Sequence, residues 1–381
     1  MTAYLDNAAT TKVCKEAAQE ALRIMTEDYG NPSSTHRMGR EAKAVLESAR
    51  GQLAKALGAK PEEVFFTSCG SESDNWALLS GAEYNKRRGR HIISSDVEHS
   101  AVLRSLEALE KHGFEVTRLQ SEKDGSIPVE AVIGALREDT ILVSLMLVNN
   151  ETGGVTDIEA ISKALKQSGS TALLHTDAVQ GFLKVPFTTK TLGADLLSIS
   201  GHKIHAPKGI GALYVKGGVK GLNLAPFIVG GGQEAGKRAG TESLPLIAAF
   251  GTAAEIGAAC ATESITRMSS LKLLAIDRLT DENRELKVLS GNAPHILSVS
   301  LPGYRSEVLM NFLEARNIFV SKSSACKRGG RSYVLEAVGH SSEVIDGALR
   351  ISLSRFTTDY EINALCDGLR EAVRKLYPVL R

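Results

Sequence analysis

Between about residue 40 and residue 215 the sequence alternates short apolar runs of strand character with stretches of helical periodicity. Seven of the apolar runs are predicted as strands, at residues 64–67, 91–95, 114–119, 140–148, 171–176, 195–200 and 211–215. Runs that are apolar almost throughout fit strands buried on both faces, and the helical stretches between them fit right-handed crossovers. The alternation therefore predicts an α/β fold around a largely parallel sheet with helices on both faces.

The first predicted helix of this region covers residues 41–58. Its apolar residues recur at helical spacing along one face, at Leu46, Ala49, Leu53 and Leu57. Gly58 and Pro61 are expected to end it. Beyond the sheet region, the Gly-rich stretch 217–242 reads as a functional loop or an exit from the sheet, and residues 244–288 read as mainly helical.

The length and charge of the chain exclude several classes of protein. With 381 residues, it fits one large α/β unit or two domains that share an interface. Its 45 Lys and Arg residues nearly cancel its 44 Asp and Glu residues, so no uniform field favours nucleic acid or an anionic membrane. The chain shows no apolar run of membrane-spanning length and no signal-peptide pattern at its start. We therefore expect a cytoplasmic protein with a compact substrate, no direct nucleic acid binding and no membrane binding.

The cysteines argue against both a disulfide framework and a metal site. Their number is odd and their positions are scattered, at Cys14, Cys69, Cys260, Cys326 and Cys366. They form no C-x-x-C pair and no close cluster of the kind that holds a metal. We expect reduced thiols and no metal.

Polar residues follow five of the predicted strands at the point where each strand ends. Ligands of open α/β sheets bind just beyond the carboxyl ends of the strands. The residues placed there are Ser71, His99, Asn150, Asp177 and Lys203. We expect these five side chains to meet at one edge of the sheet.

Lys203 stands between a strand end and a Gly/Pro loop, directly after Ser200, Gly201 and His202. A lysine partly withdrawn from water has a lowered pKa and can form a Schiff base with an aldehyde cofactor. A loop lysine that caps a helix or pairs with an acid is the alternative, and this segment by itself does not decide between the two.

The other polar residues at this edge also have two interpretations each. Asp177 ends an apolar strand, where it could match a protonated pyridine nitrogen or cap a helix that begins near Ala178. His99 could stack on an aromatic cofactor or cap a helix. Ser71 and Asp74 have the spacing of a capping box at a helix start, and such a start suits a phosphate group. An ordinary capped helix remains the simpler interpretation of that segment.

Ten motifs together resemble those of the cysteine desulfurases of the aminotransferase class V type. In chain order they are YLDNAATT, YGNPSSTHRMGREA, FFTSCGSESDN, VEHSAVL, VNNETGGV, HTDAVQ, SGHKIHAPKGIGALY, GGGQEAGKRAGTE, SSACKRGGRSYVLEAVGH and LRISLSRFTT. The resemblance covers residues 4 to about 357 and is more specific than any single motif. It implies the type I pyridoxal-phosphate fold, with a large cofactor-binding domain whose mostly parallel seven-stranded sheet is flanked by helices. The boundaries that it implies are 14–250 for this domain, with 1–13 and 251–381 in a smaller α/β domain, and it implies a homodimer.

The resemblance also implies a role for each matching residue. Lys203 would be the Schiff-base lysine and general base, and Asp177 would hold the pyridine nitrogen of pyridoxal 5'-phosphate. Gln180 would contact the phenolic oxygen, while His99 would stack on the ring and assist proton transfer. The phosphate would be bound by Gly70, Ser71, Ser200 and His202, with Thr241 from the other subunit. The substrate carboxylate would be bound by Asn150 and Arg350.

The reaction implied is the conversion of L-cysteine to L-alanine, with the sulfur held as a persulfide on Cys326. Basic neighbours such as Lys327 and Arg328 would favour the thiolate of Cys326. The sulfur would pass to an acceptor protein, such as an iron–sulfur cluster scaffold or a tRNA-thiolation enzyme. An aminotransferase, a selenocysteine lyase or a cysteine-sulfinate lyase would keep Lys203 without needing this thiol. A non-catalytic scaffold would have lost Lys203.

Overall fold

The structure, a computed structural model, describes residues 2–283, 285–322 and 330–376. Within these ranges the strands are β1 (Ala3–Tyr4), β2 (Val64–Thr67), β3 (His91–Ser95), β4 (Glu115–Leu119), β5 (Thr140–Ser144), β6 (Leu173–Asp177), β7 (Leu196–Ser200), β8 (Gly211–Val215), β9 (Lys287–Val288), β10 (Ile296–Ser300), β11 (Ile318–Phe319), β12 (Ser321–Lys322) and β13 (Ala348–Ser352).

The helices of the described ranges are α1 (Lys15–Thr26), α2 (Arg37–Leu57), α3 (Gly70–Asn85), α4 (Ser100–Lys111), α5 (Val129–Gly134), α6 (Ile158–Gln167), α7 (Thr189–Leu192), α8 (Leu244–Ala259), α9 (Ala261–Glu282), α10 (Ser306–Glu314), α11 (Tyr333–Ala337), α12 (Ser342–Asp346) and α13 (Asp359–Lys375). No single one of these described helices has the length and apolar character needed to cross a membrane. The pair Leu244–Ala259 and Ala261–Asp281, bent by 71°, meets that test of length and composition only when the two are taken together.

The large sheet has seven strands in the order β2-β8-β7-β6-β5-β3-β4. Strand β8 runs antiparallel to both of its neighbours, and every other pair is parallel. The predicted, mostly parallel seven-stranded sheet is therefore confirmed. The strand predicted at 140–148 is shorter than expected and ends at Ser144. Just beyond this end, the backbone N–H of Met146 donates to the side chain of Glu98 instead of to a neighbouring strand.

Helix α2 confirms the predicted apolar face and its end. Leu46, Ala49, Leu53 and Leu57 are all buried in the main apolar core. Gly58 follows the helix in the left-handed conformation, at φ 68°, as expected of a glycine that ends a helix.

A second apolar cluster gathers the N-terminal strand and the C-terminal third of the chain. It includes Ala3 and Leu5 together with apolar residues between Met268 and Ala372. Here β1 pairs with β11 in parallel, and the antiparallel sheet β12-β13-β10-β9 lies beside them. The domain boundaries inferred from the sequence stay a prediction.

Candidate active site

A cavity of about 980 Å³ opens at the carboxyl edge of the large sheet. The five polar residues expected at this edge all line it: Ser71, His99, Asn150, Asp177 and Lys203. Gly70, Gln180, Ser200, His202 and Arg350 line the same cavity. The structure thus brings together ten of the twelve residues that the sequence proposed for the site. Thr241 is exposed and lies outside the wall of this cavity within one protomer, and Cys326 lies outside the described residues.

Lys203 reaches the cavity from a short 3-10 turn, Gly201–Lys203, that directly follows β7. Its Nζ donates hydrogen bonds to the carbonyl oxygens of Ala8, at 2.5 Å, and Ala9, at 2.8 Å. These carbonyls belong to the segment after β1, which therefore forms part of the cavity wall. Hydrogen bonds to these two neutral carbonyls hold the amine in place. Because the amine is the donor in both, its lone pair stays available when the amine is deprotonated.

Asp177 and His99 face the cavity as a mutually attractive pair. Burial raises the pKa of Asp177, and the opposing effects of His99 and Lys203 lower it. Burial likewise lowers the pKa of His99, with Asp177 opposing this shift and Lys203 adding to it. Each also binds backbone, because Val179 N–H donates to Asp177 Oδ1 and Ala101 N–H donates to His99 Nδ1. His99 thus caps α4 and also lines the cavity, and its stacking on a cofactor stays a prediction.

The predicted capping box of Ser71 and Asp74 is wrong. Helix α3 begins at Gly70 with Cys69 as its N-cap, so Ser71 already lies in the first turn. The acid at the third position is then Glu72, whose carboxylate accepts from Ser68 N–H at 2.7 Å. Asp177 likewise precedes a series of turns and not the helix considered near Ala178.

The start of α3 is suited to an anionic group. A Cβ added to Gly70 would lie 2.8 Å from Val179 Cγ2, so only glycine lets the backbone pass this close. Among the described residues, the buried hydroxyl of Ser200 has no hydrogen-bond partner. Burial, reinforced by Lys203, lowers the pKa of His202 to about 4, so His202 is neutral at pH 7 and keeps one N–H to donate. Helix N–H groups, hydroxyls and a ring N–H all converge here.

Arg350 extends from β13 and is buried at the cavity wall. Its Nη2 pairs with Asp6 Oδ1 at 3.0 Å, and its Nη1 donates to the carbonyl oxygen of Asn150 at 3.0 Å. Its Nε and the Oδ1 of Asn150 are buried without a partner in the part of the chain that the structure describes. The Arg350 Nε–H is a donor that suits a ligand carboxylate, whereas Asn150 Oδ1 can only accept a hydrogen bond.

Sequence reasoning missed the buried carboxyl of Glu98 and the half-buried carboxyl of Asp6, and it gave Asp74 only a capping role. Burial raises the pKa of Asp74 well above its usual range and that of Glu98 to about 8. Asp74 shares one helix face with the apolar residues Ala77 and Leu78, and an acid on such a face is a usable signal. Asp6 stands in the YLDNAATT motif, but neither pattern nor charge there points to its pairing with Arg350.

The described residues contain no group of three or more His, Cys, Asp and Glu side chains that could hold a metal ion. Cys14, Cys69, Cys260 and Cys366 form no disulfide with one another. Cys69 lies at the cavity wall, beside the start of α3.

Comparison with known proteins gives a consistent result along nearly the whole chain. The family model described as aminotransferase class-V matches residues 3–365. A relative named cysteine desulfurase IscS, from Methanosarcina thermophila, is 40% identical over 98% of this chain and 92% of its own length. A solved structure described as a NifS-like protein superimposes with a TM-score of 0.92 at 37% identity, covering 99% of this chain and 100% of that one. A structure titled SspA in complex with cysteine has a TM-score of 0.80 at 32% identity, covering 94% and 100% of the two chains.

Proposed function

The chain belongs to the aminotransferase class-V family and is a pyridoxal-phosphate-dependent cysteine desulfurase, and from this premise we propose how its own residues carry out the reaction. The observation that supports the proposal is the convergence of Lys203, Asp177, His99 and Arg350 on one cavity. These residues come from four separate segments of the chain. Their amine, carboxyl, imidazole and guanidinium groups are the groups that the proposed desulfurase reaction requires in one cavity.

The cavity residues fit pyridoxal phosphate. The start of α3 with Ser71, Ser200 and His202 would hold the phosphate group. Asp177 would accept the N–H of a protonated ring nitrogen, a match for the buried carboxyl that otherwise costs free energy. His99 would stack on the ring, and Gln180 would donate to the phenolic oxygen. The pKa shifts of Asp177 and His99, both caused mainly by burial, are consistent with a site that excludes water.

The bound cofactor would supply an electron sink next to the Cα atom of the substrate. Lys203 would remove the Cα proton and later return a proton to the carbon skeleton. Arg350 and Asn150 would orient the substrate by its carboxylate. Both residues already contact each other through the Asn150 carbonyl, so the two groups are held ready in one place.

Cys326 would act as the nucleophile toward the substrate sulfur. Its thiolate would form an S–S bond with the substrate Sγ while the Cβ–Sγ bond breaks, and the bonding pair would remain with the carbon skeleton. Protonation of that skeleton gives alanine, and the enzyme retains the sulfur as a persulfide. The persulfide would then pass to an acceptor protein for the synthesis of iron–sulfur clusters or thio-cofactors, or for the thiolation of tRNA.

The assembly follows from the same proposal. The enzyme would be a cytoplasmic homodimer in which Thr241 of each subunit completes the phosphate site of the other. Its large domain would comprise residues 14–250 and its small domain residues 1–13 and 251–381. The exposed position of Thr241 is compatible with a contact made across subunits.

Two variants test the proposed roles. We expect Lys203→Ala to abolish alanine formation from L-cysteine, because the proton carrier is lost. We expect Cys326→Ser to keep the visible absorbance of the bound cofactor and to respond spectrally to cysteine, but to yield no persulfide and almost no alanine. An alanine assay, absorbance spectra and mass spectrometry of the trapped sulfur measure these outcomes. Wild-type turnover by either variant, or extra sulfur on Cys69 or Cys366, would contradict the proposal.

A further inference from the structure

Lys184 is a buried amine that the proposed reaction leaves without a role. It lies in the turns after β6, four residues beyond Gln180, and only 6% of its surface is exposed. Its Nζ donates to Gln180 Oε1 at 3.5 Å. Lysine is rarely this buried, since removing an ammonium group from water costs free energy.

The two hydrogen bonds of the Gln180 side chain determine which way its amide faces. Lys184 lies on the Oε1 side. On the other side, Gln180 Nε2 donates to the carbonyl oxygen of Ala8 at 2.9 Å, the same oxygen that accepts from Lys203. The ammonium form of Lys184 can only donate and a carbonyl can only accept, so both partners favour the same orientation of the amide when Lys184 is protonated. The N–H₂ group of Gln180 therefore faces Lys203 and the cavity.

We propose that Lys184 is a positioning residue that keeps the Gln180 amide turned so that its N–H₂ group, and not its oxygen, meets the phenolic oxygen of the cofactor. This inference rests on the proposed role of Gln180. Without Lys184, the amide could rotate and present Oε1 to the cofactor oxygen, and two acceptors would then face each other.

The ammonium form of Lys184 is costly at this position. Burial, together with the positive charges of Lys203 and Arg350, lowers the pKa of Lys184 to about 7. An apolar side chain of similar volume would avoid that cost. A second buried lysine, Lys272, offers a contrast, because its Nζ donates to the carbonyls of Gly291 and Ala293 away from the cavity.

A double-mutant cycle on the holoenzyme tests the proposal. Four proteins are compared: wild type, Lys184→Met, Gln180→Ala and the double variant. The measurements are the dissociation constant of pyridoxal phosphate and the absorption spectrum of the bound cofactor. We expect Gln180→Ala to weaken cofactor binding about tenfold and Lys184→Met about fivefold. The double variant should match Gln180→Ala, because Lys184 has nothing left to position.

Lys272→Met is the matched control, since it removes a buried amine without touching Gln180. It should change the thermal midpoint and leave the cofactor dissociation constant unchanged. The proposal would be overturned if Lys184→Met weakened cofactor binding equally with and without Gln180, or if it caused no weakening in the protein that keeps Gln180. An unaffected Gln180→Ala variant would refute the role of Gln180 itself, which separates the two failures. Should Lys184→Met not fold, a crystal structure of the native holoenzyme decides. A contact between Lys184 Nζ and Gln180 Oε1 supports the proposal, and separated atoms overturn it.

Discussion

Glu98 places a fully buried carboxyl one residue before His99 in the chain. Its Oε1 accepts from Ser95 Oγ at 2.6 Å and from Met146 N–H at 3.1 Å. Its Oε2 has no partner among the residues that the structure describes. Burial, with a smaller contribution from the negative charge of Asp177, raises the pKa of this carboxyl from 4.5 to about 8. Glu98 is therefore protonated at neutral pH.

We expect Glu98→Gln to stabilise the protein in a pH-dependent way. Because the folded pKa lies above the unfolded value, the folded state binds more protons between these values, and wild-type stability falls as the pH rises through this range. Glutamine mimics the neutral acid, so its advantage should be small at about pH 4.5 and grow to about 4 kcal/mol at about pH 8.5. Urea unfolding midpoints at several pH values measure this.

The exposed acid Glu255 provides the control for that experiment. Glu255→Gln makes the same chemical change at an exposed carboxyl, so it measures the effect of the substitution outside a buried site. An advantage of Glu98→Gln that does not change with pH would show that the carboxyl titrates normally.

At the scale of elements, the end of α2 depends on one backbone conformation. Gly58 adopts φ 68°, and a Cβ at this position would lie 2.9 Å from Thr188 Cβ. Gly51 lies within the same helix, where an added Cβ meets nothing within 4 Å. The two glycines therefore offer the same substitution in opposite environments.

We expect Gly58→Ala to destabilise the protein by about 1–2 kcal/mol, because alanine would be strained in the left-handed conformation and its Cβ would lie too close to Thr188. Gly51→Ala should stabilise it by roughly 0.5–1 kcal/mol, because alanine favours a helix interior and no atom opposes its methyl group. Denaturant unfolding of both variants gives the two signs. The same sign for both would contradict this account of the helix end.

Sequence patterns predicted the strands well because each is a short apolar run that ends at a polar residue, as at Asp177 and Ser200. The same patterns misplaced the start of α3. The first turn of that helix is set by the passage of Gly70 against Val179 and by the pairing of Glu72 with Arg238, both contacts between residues far apart in sequence. The spacing of residues within one segment carries no information about such contacts. The pairing of Arg350 with Asp6 escaped prediction for the same reason.

At the scale of the whole molecule, the proposed dimer makes each phosphate site depend on the neighbouring subunit. We expect Thr241→Ala to weaken binding of pyridoxal phosphate about fivefold while the protein stays dimeric, since one hydroxyl contact is lost. Fluorescence titration and sedimentation measure the two properties. Thr266→Ala, at another exposed threonine, should change neither. A monomer with full activity and undiminished cofactor affinity would exclude a shared site.

The contacts of the first ten residues have a consequence for how the protein is made. Ala3 and Tyr4 pair with Ile318 and Phe319, so these partners are more than three hundred residues apart in the chain. On a ribosome adding about 5–20 residues per second, the N-terminal strand waits roughly 15–60 s for its partner to be synthesised. The large sheet can form in that interval, and Ala8 and Ala9 can contact Lys203 while Ala3 and Tyr4 still lack their partner strand. Residues 3–9 thus connect two parts of the fold that are synthesised at different times, the cavity wall at Lys203 and the strand pair with Ile318 and Phe319.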